Sequence, residues 1–520
     1  MRKKNVEKDQ AYTIEINKID IGQIIRDKAP GDKVRMEYPI LFIGETTYYV
    51  GYMTKEEAEK ELEEANAFEA SAPTAEDTKI KAPEVKAPEE PAAKQYDTLY
   101  CGKDAACSFS MDCAETQCND NVLIIAGTGG GKTMSYTVPN LIHMKHTNPI
   151  VIFTKKTTMQ QMKRILEAHG YHVSTIDCVN PEQGDCGYDM LTYCKTDTDV
   201  TDLGQAIVFS EKASLPDPFW DNSAQQLIEV PFRFVKDGHY KKGKRAIDAV
   251  ELLDSIHKED DLYNELDEEE WDGYDDKDLR VENPLHYALR NLQKINPKDF
   301  GVWQAFNRGA DQTSASLTST VNSHMAKTFN ADVRALLRKE QQFAFETLLK
   351  PKQALFVYIS PVNPAMNHFI TIFYHQLFKT LFELGEQQPS GVLPHPVHVI
   401  CDDFATGCRI PDFDKTISIF REKGISVSML IQSESQLIDL YGASSAQTII
   451  NNCDTILYLG GMDMRTCENV AKRANVPLDE VLSLPVGREI FFRRGQKPVF
   501  TKRYETLKDP VYQAEVASAR

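Results

Sequence analysis

From Asn121 onward the chain alternates short, unbroken apolar runs with longer mixed segments. The runs are NVLIIA, PIVIFT (Pro149–Thr154), HVSTID (His172–Asp177), ALFVYIS (Ala354–Ser360), VHVICDD (Val397–Asp403), ISVSMLIQ (Ile425–Gln432) and TILYLG (Thr455–Gly460). Short runs without polar alternation predict strands buried on both faces, and the helical patterns between them predict crossovers. The expected class is therefore α/β, with a mainly parallel sheet covered on both sides. Between about Phe209 and Leu337 the pattern is helical throughout, which predicts an all-α insertion between two strands.

Upstream the texture differs. Lys33–Met53 holds two β-rich runs around Gly44-Glu45, a hairpin signal, and KEEAEKELEEANAF reads as a charged helix. Ala70–Gln95 is rich in Ala, Pro, Glu and Lys with no apolar period, as a linker is. The expected organisation is a small N-terminal α+β unit (1–65), a linker (66–98), an α/β domain in two parts (99–208 and 338–511) around the all-α domain (209–337), and a tail (512–520).

A length of 520 residues suits several units, and 42% hydrophobic with 26% charged residues excludes a wholly disordered chain. The net charge of −18 argues against indiscriminate coating of nucleic acid or anionic lipid, though not against a locally basic channel. No stretch reaches the roughly 18 apolar residues of a membrane helix, and the basic start lacks a signal's apolar core. The expectation is a cytoplasmic chain with reduced thiols. Cys101, Cys107, Cys113 and Cys118 cluster without any Cys-x-x-Cys pair, so zinc is the minority reading. The run Lys258–Asp278 is strongly acidic and reads as a solvated surface.

The chemistry concentrates in AGTGGGKT, Ala126, Gly127, Thr128, Gly129, Gly130, Gly131, Lys132 and Thr133, which follows NVLII and precedes a helical pattern. It fits the phosphate-binding loop G-x-x-x-x-G-K-[ST], with Ala126 at the first Gly position. Glycines let backbone N–H groups turn in around phosphates, Lys132 brings a charge to them, and Thr133 offers a hydroxyl to Mg²⁺. VHVICDD ends a strand on two carboxylates. Asp402 is the candidate metal-side group and Asp403 the candidate base, or alternatively a cap of the next turn. Gln432, ending the following strand, has the reach for a γ-phosphate or its attacking water. Arg421, between those two strands, is a candidate arginine finger for a neighbouring subunit or an ordinary surface ion pair.

These residues resemble the coupling proteins of type IV secretion and conjugation, the TraG/TraD type, which are similar to FtsK/HerA DNA-pumping ATPases. The resemblance is carried by Asn121–Ile142, Gly187–Tyr193, Asp217–Leu227, Thr313–Phe329, Asp402–Phe413, Phe420–Gly442, Thr448–Asp463 and a closing hairpin at Leu484–Pro498. It implies a RecA-like P-loop NTPase core using ATP and Mg²⁺, assembled as a homo-hexamer, with a monomer in the absence of substrate as the alternative. It further implies that the ring delivers conjugative DNA and a relaxase-type protein to a secretion channel. Lys132 and Thr133 match the family's phosphate loop, Asp402 and Asp403 its Asp-Glu pair, and Arg421 and Gln432 its Arg and Gln. Two departures stand out: Asp403 replaces Glu, and FTKKTT (Phe153–Thr158) replaces Asp-Pro-Lys-Gly-Glu. The family's N-terminal membrane helices are not seen, so the expectation is a soluble variant recruited peripherally to the inner face of the membrane through a partner. KKGKR (Lys241–Arg245), Arg493-Arg494 and Tyr240 are candidate DNA contacts, with ordinary surface as the plainer reading. Two further readings are kept: a DNA translocase outside conjugation, and a nucleotide-gated receptor with slow or no hydrolysis.

Overall fold

All seven apolar runs become strands. The computed structural model describes residues 34–42, 45–53, 95–209, 219–256, 284–289, 291–360, 366–404 and 409–518. They fall into two compact units, Met1–Ala93 and Lys94–Arg520. In the first, β1 (Val34–Phe42) and β2 (Glu45–Met53) pair antiparallel as the expected hairpin. The charged helix, most of the linker and the acidic run Lys258–Asp278 lie outside the described residues.

The second unit opens with a small hairpin, β3 (Thr98–Tyr100) and β4 (Ser108–Ser110). Its main strands are β5 (Val122–Ile125), β6 (Asn148–Phe153), β7 (His172–Asp177), β8 (Gln353–Tyr358), β9 (Val397–Cys401), β10 (Ile425–Ile431), β11 (Thr455–Tyr458), β12 (Arg488–Arg493) and β13 (Val499–Lys502). They form one sheet in the order β13-β12-β11-β5-β10-β9-β6-β8-β7. From β11 to β7 the neighbours run parallel, while β12 and β13 add an antiparallel hairpin at one margin.

Side chains alternate across each strand, so a strand apolar at every position feeds two cores. In β5, Leu123 and Ile125 join one core, and Val122 and Ile124 join the other. The helix Lys156–Ala168 covers the second face with Met159, Met162, Ile165 and Leu166, a one-sided helical spacing. The helix Asn367–Glu386 covers the first face with Phe369, Phe373 and Leu377.

Every described helix or strand from Asp197 to Arg338 is helical. The helical segment thus starts at Asp197, not at Phe209. The helix Asp197–Phe209 puts Val200, Leu203 and Ile207 into the core shared with Leu227 and Val230 of the helix Phe219–Lys236. An ion triad is sealed inside this segment. Arg233 meets Glu229 Oε2 at 2.7 Å and Asp299 Oδ1 at 2.8 Å, and all three residues are buried.

The folded unit also begins inside the expected linker. The Asp97 carboxylate accepts from the backbone N–H groups of Lys145, His146 and Thr147, so this residue is anchored. At the other end the expected tail begins within the helix Pro510–Ser518, whose first N–H groups are capped by Asp509.

Candidate nucleotide site

Sheet order assembles the site. β5 carries the Gly-rich loop, β10 beside it carries Gln432, and β9 beside that carries Asp402 and Asp403, all three parallel. The candidate residues therefore gather at the C-terminal edge of adjacent strands, where open α/β sheets bind ligands.

The loop is shaped by its glycines. Gly129 and Gly131 take φ of +71° and +77°, values that favour glycine. Gly130 is required by space, since a Cβ there would lie 2.7 Å from the Gly127 carbonyl and 2.8 Å from the Ala126 Cβ. Ala126 N–H donates to the Ile431 carbonyl and Gly127 N–H to the Gly460 carbonyl, so the start of the loop is tied to the strands on both sides.

Lys132 Nζ donates to the Ala126 carbonyl at 3.1 Å and lies 3.6 Å from Asp403 Oδ1. Thr133 Oγ1 lies 3.4 Å from Asp402 Oδ2, and Thr154 Oγ1 donates to the same oxygen at 2.9 Å. Burial, and then repulsion from Asp403, raises the Asp402 carboxyl above its ordinary range, against the Thr154 bond and Lys132. Such a group gains from a nearby cation. A hydroxyl, a buried carboxylate and an ammonium at the mouth of a Gly cradle suit Mg²⁺ and a polyphosphate. On the other side Thr128 Oγ1 lies 3.4 Å from Gln432 Oε1.

Asp403 takes φ +50°. Short polar side chains tolerate this left-handed region better than longer ones, which gives a local reason for Asp in place of Glu.

A buried polar chain underlies these groups. Tyr136, in the π-helical turn Thr133–Thr137 after the loop, meets Ser428 Oγ of β10 at 2.5 Å. Ser428 Oγ lies 2.8 Å from His398 Nε2 of β9, and His398 Nδ1 lies 2.6 Å from Ser426 Oγ. Burial pushes His398 down to about 3, so the imidazole is neutral at physiological pH.

A family model described as Type IV secretory system Conjugative DNA transfer matches residues 63–474, most of the chain. The chain belongs to this family. No curated protein matches the sequence. Among solved structures, the unbound monoclinic form of the bacterial conjugative coupling protein TrwBdeltaN70 is 14% identical, with a TM-score of 0.56 over 79% of this chain and 88% of that one. TrwB in complex with the GTP analogue GDPNP is 14% identical, with a TM-score of 0.54 over 81% and 98%. TrwB with the ATP analogue ADPNP is 15% identical, with a TM-score of 0.54 over 75% and 87%. These likenesses establish a common fold.

Arg421 of this conjugative-transfer protein stands apart from the loop. It precedes β10, at the opposite edge of the sheet, and its guanidinium donates to the Cys113 carbonyl at 3.0 Å. Lys156 bonds Asp177 and Gln183 at the end of β7. Of the candidate DNA contacts, Arg493 is buried over the Phe109 ring, 3.5 Å from its centroid, and bonds Thr455. Arg494 pairs with Asp454, Tyr240 is partly buried against the core, and Lys241, Lys242 and Lys244 are exposed. Cys101, Cys107 and Cys118 are buried, and no metal-binding group of three or more His, Cys, Asp or Glu occurs among the described residues. Likewise, no helix among them is long and apolar enough to cross a membrane.

Sequence reasoning missed Thr154, Arg503 and Glu489. Glu489 of β12 is buried, and neither carboxyl oxygen has a hydrogen-bond partner among the described residues. Burial pushes its carboxyl up to about 8, with Arg503 opposing and Asp104 adding to the rise. The folded chain thus keeps a proton that the unfolded chain releases near 4.5. Folding stability should fall as pH rises between those values, by up to about 1.4 kcal/mol per pH unit from this group. Glu489→Gln should remove that slope, so the variant gains on the parent as pH rises. Denaturant midpoints of both proteins at about pH 5.5 and about pH 8 check this, and equal slopes would refute it.

Proposed function

We propose that this chain is an ATP-dependent coupling protein that recruits a DNA–relaxase or protein substrate and delivers it to a type IV secretion channel as a ring. Family membership supports the conjugative setting. The observation that carries the motor reading is the meeting of Lys132 and Thr133 with Asp403 and Asp402 at one edge of the sheet.

Lys132 neutralises β- and γ-phosphate charge, and the loop N–H groups of Gly129 and Gly131 assist it, while the Gly130 N–H closes the loop onto the Gly127 carbonyl. Thr133 and Asp402 would hold Mg²⁺, with Thr154 fixing the carboxylate. Held there, the metal would supply positive charge against that developing on the transferred phosphoryl group. Asp403 takes the proton of the attacking water, and Gln432 orients that water from β10. Arg421, remote from its own loop, serves the nucleotide of an adjacent subunit in a homo-hexamer.

ATP turnover with and without single-stranded or duplex DNA tests this, beside Lys132→Ala and Asp403→Glu. DNA-stimulated turnover that disappears in Lys132→Ala is expected. Tight ATP binding without turnover at any protein concentration would sink it. That outcome would favour the second reading, a nucleotide-gated receptor in which Asp403 is held by Lys132 at 3.6 Å.

A further inference from the structure

The C-terminal segment straps the phosphate loop and its helix from 373 residues downstream. After β13, Arg503 Nη1 donates to the Gly130 carbonyl at 2.6 Å, Nη2 to the Leu459 carbonyl, and Nε to the Arg488 carbonyl at 3.2 Å. Thr506 Oγ1 donates to the Met134 carbonyl, and Asp509 Oδ2 meets His143 Nε2 at 2.8 Å. One planar fork thus joins the loop to the end of β11 and the start of β12.

The consequence for the loop is geometric. The Gly130 carbonyl and the Gly131 N–H belong to one trans peptide and point in opposite directions. Holding the oxygen therefore turns the Gly131 N–H away from Arg503, and N–H groups of such a loop are what bind phosphate. Loop and side chain are fitted to each other, since a Cβ on Gly131 would lie 3.2 Å from Arg503 Nη1. The guanidinium makes these bonds although an acidic partner is close. Glu489 feels the Arg503 charge, yet its oxygens have no hydrogen-bond partner among the described residues.

We infer that Arg503 is a positioning residue for nucleotide binding, whose fork sets the Gly130–Gly131 peptide so that the loop is organised before phosphates arrive. The inference rests on the nucleotide-site reading. It adds a residue outside the loop that governs affinity for di- and triphosphates. Arg503→Lys would keep the charge but donate from a single nitrogen, which cannot reach three carbonyls now met by three separate nitrogens.

Titration of the purified full chain with MgADP, for the parent and for Arg503→Ala, Arg503→Lys and Lys132→Ala, tests it, alongside melting curves without nucleotide. Both Arg503 variants should bind MgADP at least about tenfold more weakly, measured well below their melting temperatures. Arg503→Lys should melt within a few degrees of the parent, which separates loop positioning from general destabilisation. Should Arg503→Ala fail to fold, the Lys variant decides. Parent-like affinity in Arg503→Lys overturns the inference while leaving the site intact, provided Lys132→Ala binds weakly. Failure of the parent itself to bind MgADP overturns the site reading and this inference together.

Discussion

Asp402→Asn should lower Mg²⁺-dependent ATP turnover by about a thousandfold while making the nucleotide-free chain more resistant to heat. The two effects have one origin. Asn keeps the size of the side chain and an oxygen for Thr154, but lacks the charge that the proposed Mg²⁺ site beside Thr133 requires. In the parent, that charge is disfavoured by burial and by Asp403, as its raised carboxyl shows. Removing it relieves the folded state, a trade between stability and activity common at functional sites. Steady-state rates across a Mg²⁺ series and melting curves without nucleotide read the two arms. Near-parental turnover, or a lower melting temperature, would contradict the assigned role.

Arg233→Ala should produce the largest loss of stability, about 3–5 kcal/mol. The substitution leaves Glu229 and Asp299 facing each other in a site closed to water. Arg233→Lys should recover only part of the loss. Its single ammonium replaces a guanidinium that donates through Nε to both Asp299 oxygens and through Nη1 to Glu229. Urea unfolding followed by circular dichroism checks both variants. A cost under about 1 kcal/mol for Arg233→Ala would show that the triad is not sealed.

The sheet and the edge that carries the candidate site are legible in the sequence because their signals are local. NVLIIA and VHVICDD are strands by their unbroken apolar character, and the loop after the first is a contiguous motif. Gly129, Gly130 and Gly131 were each required, two by dihedral angle and one by space. Gln432 falls beside the loop because β10 pairs with β5, a neighbour relation that strand patterns alone do not specify. Arg503 was invisible for the same reason, since its acceptors lie at Gly130, Leu459 and Arg488 and meet only after the hairpin closes. Thr154 sat in a segment noticed only for departing from a family pattern, and its role emerges from the pairing of β6 with β9. Arg493 looked like surface because a basic doublet near a turn usually is, whereas alternation in β12 turns it inward over Phe109. Asp97 falls within the linker bounds because an Ala-, Pro- and Glu-rich run ends only a few residues before it, and its cap of three N–H groups far along the chain leaves no local signal.

The polar thread from Tyr136 through Ser428 and His398 to Ser426 has a mechanical consequence. It fastens the turn after the loop to the two strands that bear the glutamine and the aspartates, inside a region closed to solvent. Those three parts are therefore braced against one another, and shifting any one of them would break a hydrogen bond inside the core.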